Sequence, residues 1–171
     1  MSKTTFTVGA DKQSLIIERL FPASRDKVWE AYSKPEILAR WWGPTGWETE
    51  ITHFDFTVGG YWLYCMRCVD KNQGDFYGME SWGRGSYTDI SPMDSISQED
   101  AFADASGEIN TSMPVSQTTV RFQEEDGHTR LLSNARYESE AALQQVLEMG
   151  MEEGFRQTLD NLERILLGDK A

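Results

Sequence analysis

The sequence is poor in cysteine and histidine, with two of each, and no stretch of it is apolar over the roughly 20 residues that a membrane span needs. A secreted disulfide scaffold would carry more cysteines, so the two present favour a reducing compartment. The first residues, MSKTTFTVGADKQS, lack the apolar run of a secretory signal. These absences exclude a membrane-spanning protein and a disulfide scaffold, and they predict a cytoplasmic location.

Positive charge is also scarce. Lys and Arg number 16 against 28 Asp and Glu, which gives a formal net charge of −12. Such a surface repels a phosphate backbone and an anionic membrane, so we expect neither nucleic acid nor a membrane as a partner. No Lys or Arg occurs between Arg84 and Arg121, where six acidic residues fall. This acidic segment indicates a solvated loop and strand edge, with a docking surface for a basic partner as the alternative.

What the sequence does contain is apolar and aromatic bulk. Of its 171 residues, 39% are hydrophobic and 12% are aromatic, and six are Trp. This length fits one domain with one core, and the aromatic content leaves a surplus for a cavity. We predict a flexible leader over residues 1–13 and a single domain over 14–168.

Hydrophobic periodicity predicts the order of strands and helices. A strand, Ser14–Phe21, precedes two short helices, the second of which ends at Gly43-Pro44. Glycine-rich turns and the hairpin signal Asp126-Gly127 then separate a meander of about six strands. The least regular segment, 94–112, is assigned one strand near residues 95–102 and a loop after it.

From Ser139 to about Leu167, apolar residues recur at spacings of three and four, which predicts one long amphipathic helix. A curved antiparallel sheet of about six to seven strands wrapped around this helix would bury the apolar stripe, so the fold class is α+β. Such an arrangement often leaves a cavity between helix and sheet. We interpret Gly150 and Gly154 as a close approach of the helix to the sheet, with room for a ligand as the alternative.

Three separated motifs carry a resemblance to a known family. FPASRDKVWEAYSKPEILARWWGP is followed by FDFTVGGYWLYCM, and the helix contains MGMEEGFRQTLDNLERIL. In this order they are similar to bacterial proteins related to the C-terminal domain of the activator of the ninety-kilodalton heat-shock-protein ATPase, in the START-like, birch-pollen-allergen-like (SRPBCC) superfamily. The resemblance covers about 14–167 and implies the helix-grip fold. Because the superfamily includes hydrophobic-ligand binders, aromatase/cyclase enzymes and the co-chaperone domain, it leaves the function open.

The strand YWLYCMRCV predicts the wall of a ligand site. Trp62, Tyr64 and Met66 share one face with Cys68, while Arg67 marks the other face as more exposed. An aromatic and Met-lined inner wall suits an apolar ligand, with plain core packing as the alternative. Of the adjacent tryptophans Trp41 and Trp42, the first has core-like spacing and the second is the candidate for the rim. The predicted ligand-binding residues are Trp42, Trp62, Tyr64, Met66, Trp82, Arg84, Met151 and Phe155.

Catalytic and metal chemistry have weaker support. Cys65 and Cys68 have the spacing of a redox or zinc motif, but they lie within a predicted strand and too few further ligands accompany them, which favours ordinary thiols. An enzyme would need an acid and a base inside the cavity. The polar candidates for these roles are His53, Asp55, Glu80 and Arg84.

The favoured interpretation is a non-catalytic protein without a cofactor, which binds a small hydrophobic or aromatic molecule between the C-terminal helix and the sheet. One alternative is a co-chaperone-like interaction module acting on a heat-shock chaperone ATPase. The related activators place an additional N-terminal domain before this one, and no residues for it are present here, which weakens that alternative. The other is a cyclase/lyase-type enzyme using the same cavity. We expect a monomer or weak dimer.

Overall fold

A computed structural model of the protein describes residues 2–168 and consists of one eight-stranded antiparallel sheet with four α-helices. The strands follow the order β1-β2-β8-β7-β6-β5-β4-β3 across the sheet. The helices are α1 (Arg25–Ser33), α2 (Pro35–Trp41), α3 (Glu140–Glu148) and α4 (Met151–Leu166). The strands are β1 (Thr5–Val8), β2 (Ser14–Phe21), β3 (Trp47–Phe54), β4 (Tyr61–Cys68), β5 (Glu80–Ser91), β6 (Ser95–Phe102), β7 (Ser116–Glu125) and β8 (His128–Tyr137).

The sheet confirms the predicted α+β helix-grip class and has one strand more than predicted. The extra strand, β1, pairs with β2 through partners such as Phe6 and Ile17. It lies inside the segment 1–13 predicted as a flexible leader, whose first residue is outside the described residues. The alternating sequence TFTV is too short to predict a strand from its pattern alone. It forms a strand because it pairs with the edge of β2, which supplies its backbone hydrogen bonds.

The Asp126-Gly127 turn joins β7 to β8 as predicted. Both residues have positive φ, 53° and 80°, which is the geometry that a two-residue hairpin loop requires. The predicted strand near residues 95–102 is also confirmed, because β6 runs over Ser95–Phe102 and pairs on both sides.

The predicted C-terminal helix is divided in two. Gly150 ends α3 in the left-handed conformation, with φ 84° and ψ 22°, and its N–H donates to the carbonyl of Leu147. The helical spacing of apolar residues continues through the break because both helices bury their apolar faces in the core. Leu143 of α3 and Leu159 of α4 are fully buried there. Close packing does not explain Gly154, since an added Cβ there would meet no atom within 4 Å.

A buried ion pair fastens α4 to the sheet. Arg19 on β2 is fully buried, and its Nη1 lies 2.7 Å from Asp160 Oδ1 while its Nη2 lies 3.2 Å from Glu163 Oε1. Burial raises the pKa of Glu163, but the hydrogen bonds from Ser2 and Arg19 lower it by more, so the net shift is downward. This link joins α4 to β2, which places the helix against one face of the sheet.

Candidate ligand cavity

A cavity of about 190 Å³ lies between the concave face of the sheet and helices α1, α2 and α4. Strands β2, β4, β5, β6, β7 and β8 all contribute inward-facing side chains to it. Its lining residues are Ile17, Tyr32, Leu38, Trp42, Trp62, Tyr64, Tyr87, Ile96, Gln98, Asp100, Ser116, Thr118, Val120, Ser133, Ala135, Tyr137, Met151 and Phe155.

One wall of the cavity is a cluster of aromatic rings. Trp62 and Tyr64 stack with their ring centroids 4.3 Å apart and an interplanar angle of 27°. Trp42 meets both rings edge-on, at 5.2 Å and 5.8 Å, and meets Phe155 of α4 at 6.2 Å. These contacts hold the rings in fixed orientations and present apolar faces and edges to the cavity.

Two glycines of β5 make room for this wall. Gly85 pairs with Trp62 and Gly83 pairs with Tyr64 across the β4–β5 ladder. An added Cβ would lie 2.4 Å from Trp62 Nε1 at Gly85, and 2.3 Å from the Tyr64 hydroxyl oxygen at Gly83. Glycines inside a strand often mark a bulge, but the register shift of β5 falls later, between Tyr87 and Asp89. Their role is close approach of the two rings to the backbone.

A second cavity of about 210 Å³ adjoins the first. The two share five lining residues, Tyr64, Asp100, Ser116, Tyr137 and Met151. The second cavity extends toward α3 and the loop after β6, and its further lining includes Met66, Trp82, Phe102, Pro114 and Val146.

The boundary between the cavities carries a row of polar groups. Asp100 lies opposite Gly85 on one side and Ser116 on the other, and Ser116 in turn lies opposite Tyr137. The side-chain amide of Gln98 donates to Asp100 Oδ1. Ser116 Oγ and Thr118 Oγ1 are 2.9 Å apart and hydrogen-bonded.

The cavity shifts the pKa of its ionisable groups upward. Burial raises the pKa of Asp100 from 3.8 to about 6, the charge of Glu99 adds to the rise, and hydrogen bonds from Gln98 and Thr118 oppose it. Burial also raises the pKa of the tyrosine hydroxyls nearby, to about 12 for Tyr137, and the negative charge of Asp100 raises them further. The tyrosines affected are Tyr32, Tyr64, Tyr87 and Tyr137. Their hydroxyls therefore stay neutral and can donate hydrogen bonds.

Comparison with known proteins assigns the family. The model of the family described as Activator of Hsp90 ATPase homolog 1-like protein matches residues 22–167. The chain belongs to this family. A comparison with curated proteins finds no match to the chain.

Solved structures of bacterial proteins share the fold of this family member over nearly its whole length. Protein Ms6760 from Mycobacterium smegmatis is 31% identical, with a TM-score of 0.84 over 96% of this chain and 97% of that one. A protein from Arthrobacter aurescens is 30% identical, with a TM-score of 0.85 over 96% and 91% of the two chains. A protein from Staphylococcus epidermidis is 31% identical, with a TM-score of 0.80 over 95% and 94%.

Five of the eight residues predicted to bind a ligand line the first cavity. They are Trp42, Trp62, Tyr64, Met151 and Phe155, and Met66 and Trp82 line the second cavity. Of the adjacent tryptophans, Trp41 is fully buried, as its spacing predicted, and donates its indole N–H to the carbonyl of Ala31.

Arg84 lies away from both cavities. Its neighbours Gly83 and Gly85 face the cavity wall, so the alternation of a strand directs Arg84 to the opposite face of the sheet. There its guanidinium lies 3.8 Å from the ring centroid of Tyr61, and Nη1 donates to the carbonyl of Gly107 at 2.9 Å. Arg84 therefore packs a loop against the outer face and cannot orient a ligand inside.

The other acid and base candidates are likewise outside the cavities. His53 stacks on Tyr61 with the ring centroids 4.1 Å apart. Asp55 accepts a hydrogen bond from Thr57, and Glu80 forms an ion pair with Arg67 on the surface. Neither cavity is lined by any of them.

The two cysteines are buried as free thiols. Burial, together with the charge of Glu80, raises the pKa of Cys65, which is the opposite of what a reactive thiolate needs.

Residues 2–168 contain no group of three or more His, Cys, Asp and Glu side chains that could hold a metal ion. Within the same range, none of the helices is long and apolar enough to cross a membrane.

Asp100 is the functional candidate that sequence reasoning missed. It lies in the segment whose pattern was least regular. A signal was present, because Ile96 and Phe102 share its strand parity and mark an inward face.

Proposed function

We propose that this protein binds a small apolar or aromatic molecule in the cavity beneath α4, without catalysing a reaction on it. The stacked pair Trp62 and Tyr64, bordered by Trp42 and Phe155, is the observation that supports the proposal. Such a wall buries the faces of a flat ligand, and burial of apolar surface contributes about 25 cal/mol per Å². Gly83 and Gly85 leave the space that these rings occupy, so the wall depends on specific residues on two strands.

The size of the site limits the ligand. An engineered cavity of about 150 Å³ binds benzene, so the first cavity, at about 190 Å³, suits one ring. With the adjoining cavity of about 210 Å³, two fused rings or one ring with a short chain would fit. Met151 is one of the five residues that line both cavities, and a ligand occupying both would extend past it.

A neutral two-ring compound, 2-naphthylmethanol, tests the proposal by thermal unfolding and tryptophan fluorescence. We expect the melting temperature to rise with ligand concentration, as linkage requires, and the fluorescence of the wall tryptophans to change. Ser133→Leu fills the cavity from β8 and should abolish both effects. Asn134→Leu, the adjacent exposed residue on the same strand, is the matched control and should preserve them. No thermal shift and no fluorescence change of the unmodified protein, either with this compound or with its amine analogue 2-naphthylmethylamine, would refute the proposal.

The chaperone alternative remains a separate prediction. A pull-down that recovers a stable complex with a heat-shock chaperone ATPase would support it. Ser133→Leu also separates the two hypotheses, because filling an internal cavity should leave contact with a chaperone unchanged.

A further inference from the structure

Asp100 is the one charged side chain among those of residues 2–168 that line the two cavities. The sheet fixes its direction, because its cross-strand neighbour Ser116 and its same-strand neighbour Gln98 both line the first cavity. It lies where the two cavities meet, so a ligand occupying either one would lie close to the carboxylate.

Among residues 2–168 the carboxylate has hydrogen-bond donors but no charged partner of opposite sign. Gln98 and Thr118 donate hydrogen bonds to it. Within the described chain, none of the ion pairs includes Asp100. Asp100 is half-buried, and holding a carboxylate away from bulk water without a cation is costly, whereas a cation that enters the site recovers part of that cost. An acidic or phosphorylated ligand would increase the cost.

The surroundings of Asp100 also favour a cation. Trp62, Tyr64 and Tyr87 line the same space, and aromatic rings attract cations through their quadrupoles. The hydroxyl oxygens of Ser116 and Tyr137, next to Asp100 in the row across the sheet, can accept further N–H hydrogen bonds.

We propose that the ligand of this cavity is an aromatic or apolar amine, whose ammonium group pairs with Asp100 while its ring lies against Trp62 and Tyr64. This inference rests on the proposed function and narrows it to a chemical class. Asp100 is then the residue that determines specificity, and the aromatic wall supplies most of the burial.

Binding of an amine should depend on pH through Asp100. An ammonium group with an ordinary pKa stays charged well above pH 7, so the ionisation of Asp100 governs the acid side. With a pKa of about 6, only about a tenth of Asp100 is ionised at pH 5, which predicts about tenfold weaker amine binding than at pH 7.5. Tyr32, Tyr64, Tyr87 and Tyr137 also interact with Asp100, and their raised pKa values keep the hydroxyls protonated over this pH range. Glu99, whose charge acts on Asp100, lines neither cavity.

The test compares 2-naphthylmethylamine with 2-naphthylmethanol, which has nearly the same size but no charge. Isothermal titration calorimetry should show that, at pH 7.5, the amine binds at least tenfold more tightly than the alcohol. This advantage should largely disappear at pH 5, while binding of the alcohol stays constant or strengthens. Asp100→Asn should remove the preference for the amine and its pH dependence but keep binding of the alcohol. Asp89→Asn, at an exposed position on β5, is the control and should behave like the unmodified protein.

The outcomes separate the two proposals. If neither compound binds, the proposed function itself fails. If the alcohol binds as well as the amine at pH 7.5, or Asp100→Asn retains the preference, the cavity binds apolar molecules and this inference is wrong. Tighter binding of 2-naphthoate than of the amine would also overturn it, because an anion should be repelled by Asp100.

Discussion

The indole of Trp62 lies over Gly85 of the neighbouring strand so closely that a methyl group on the glycine would come within 2.4 Å of the indole nitrogen. Gly85→Ala should therefore push the ring into the cavity or out of its stack with Tyr64. Overpacking of this kind costs about 1–3 kcal/mol, and the altered wall should bind 2-naphthylmethanol much more weakly. Chemical denaturation and calorimetry measure the two effects. Normal stability together with unchanged binding in Gly85→Ala would contradict the close approach.

Gly150 and Gly154 should respond in opposite ways to the same substitution. Gly150 has φ 84°, so Gly150→Ala forces a side chain into the left-handed region and should destabilise the protein by about 1 kcal/mol. Gly154 lies within α4, and an added Cβ there would meet no atom within 4 Å. Gly154→Ala should therefore stabilise by about 0.5–1 kcal/mol through helix propensity. Urea unfolding of the two variants side by side gives the comparison, and equal shifts of the midpoint would contradict the break in the helix.

Asp100 should make the free protein less stable at neutral pH. Its pKa is raised from 3.8 to about 6 on folding, so the native state binds the extra proton and stability falls as pH rises from about 4 to about 6. Above pH 6 the whole cost is present, and Asp100→Asn should remove about 1–3 kcal/mol of it. Denaturation curves at pH 4.5 and pH 7.5 should show a clearly larger gain in the variant at the higher pH. A loss of stability at pH 7.5 would mean that the charge is better solvated than its burial indicates.

Removing only one partner of the Arg19 ion pairs should destabilise the protein strongly. Arg19→Met leaves Glu163 without its cation and leaves Asp160 with the half-exposed Arg156 alone, and breaking a buried pair costs about 3–5 kcal/mol. The surface pair of Arg25 and Asp94 is the control, since Arg25→Met there should change stability by less than about 1 kcal/mol. Combining Arg19→Met with Glu163→Leu should recover part of the loss. Similar costs for the two single variants would show that Arg19 is effectively solvated.

Much of the fold was predictable because local signals agreed with the final packing. The Asp126-Gly127 turn and the alternation on β4 each depend on short-range chemistry that survives in the folded chain. The break at Gly150 was not predictable from periodicity, since the apolar stripe continues across it. The burial of Arg19 was missed for a different reason: a charged residue in a strand is ordinarily placed outward, and its carboxylate partners lie more than 140 residues later.

The site was predictable only where its residues are large and apolar. Trp62 and Tyr64 share a strand face, so two-residue periodicity found them together. The parity of β5 was obscured by Gly83 and Gly85, which have no side chain to mark a face, and Arg84 was consequently assigned to the wrong side of the sheet. Asp100 escaped notice although Ile96 and Phe102 share its strand parity, because a carboxylate in a strand is ordinarily placed outward.

The attachment of α4 is uneven along its length, and this suggests where a molecule could enter. Arg19 holds the middle and later turns through Asp160 and Glu163. The residues that cover the cavity, Met151 and Phe155, belong to the first turns, directly after the break at Gly150. A small outward tilt of those turns about the glycine would expose the aromatic wall to solvent without disturbing the ion pairs. The same helix can thus serve as a fixed support at one end and an entrance at the other.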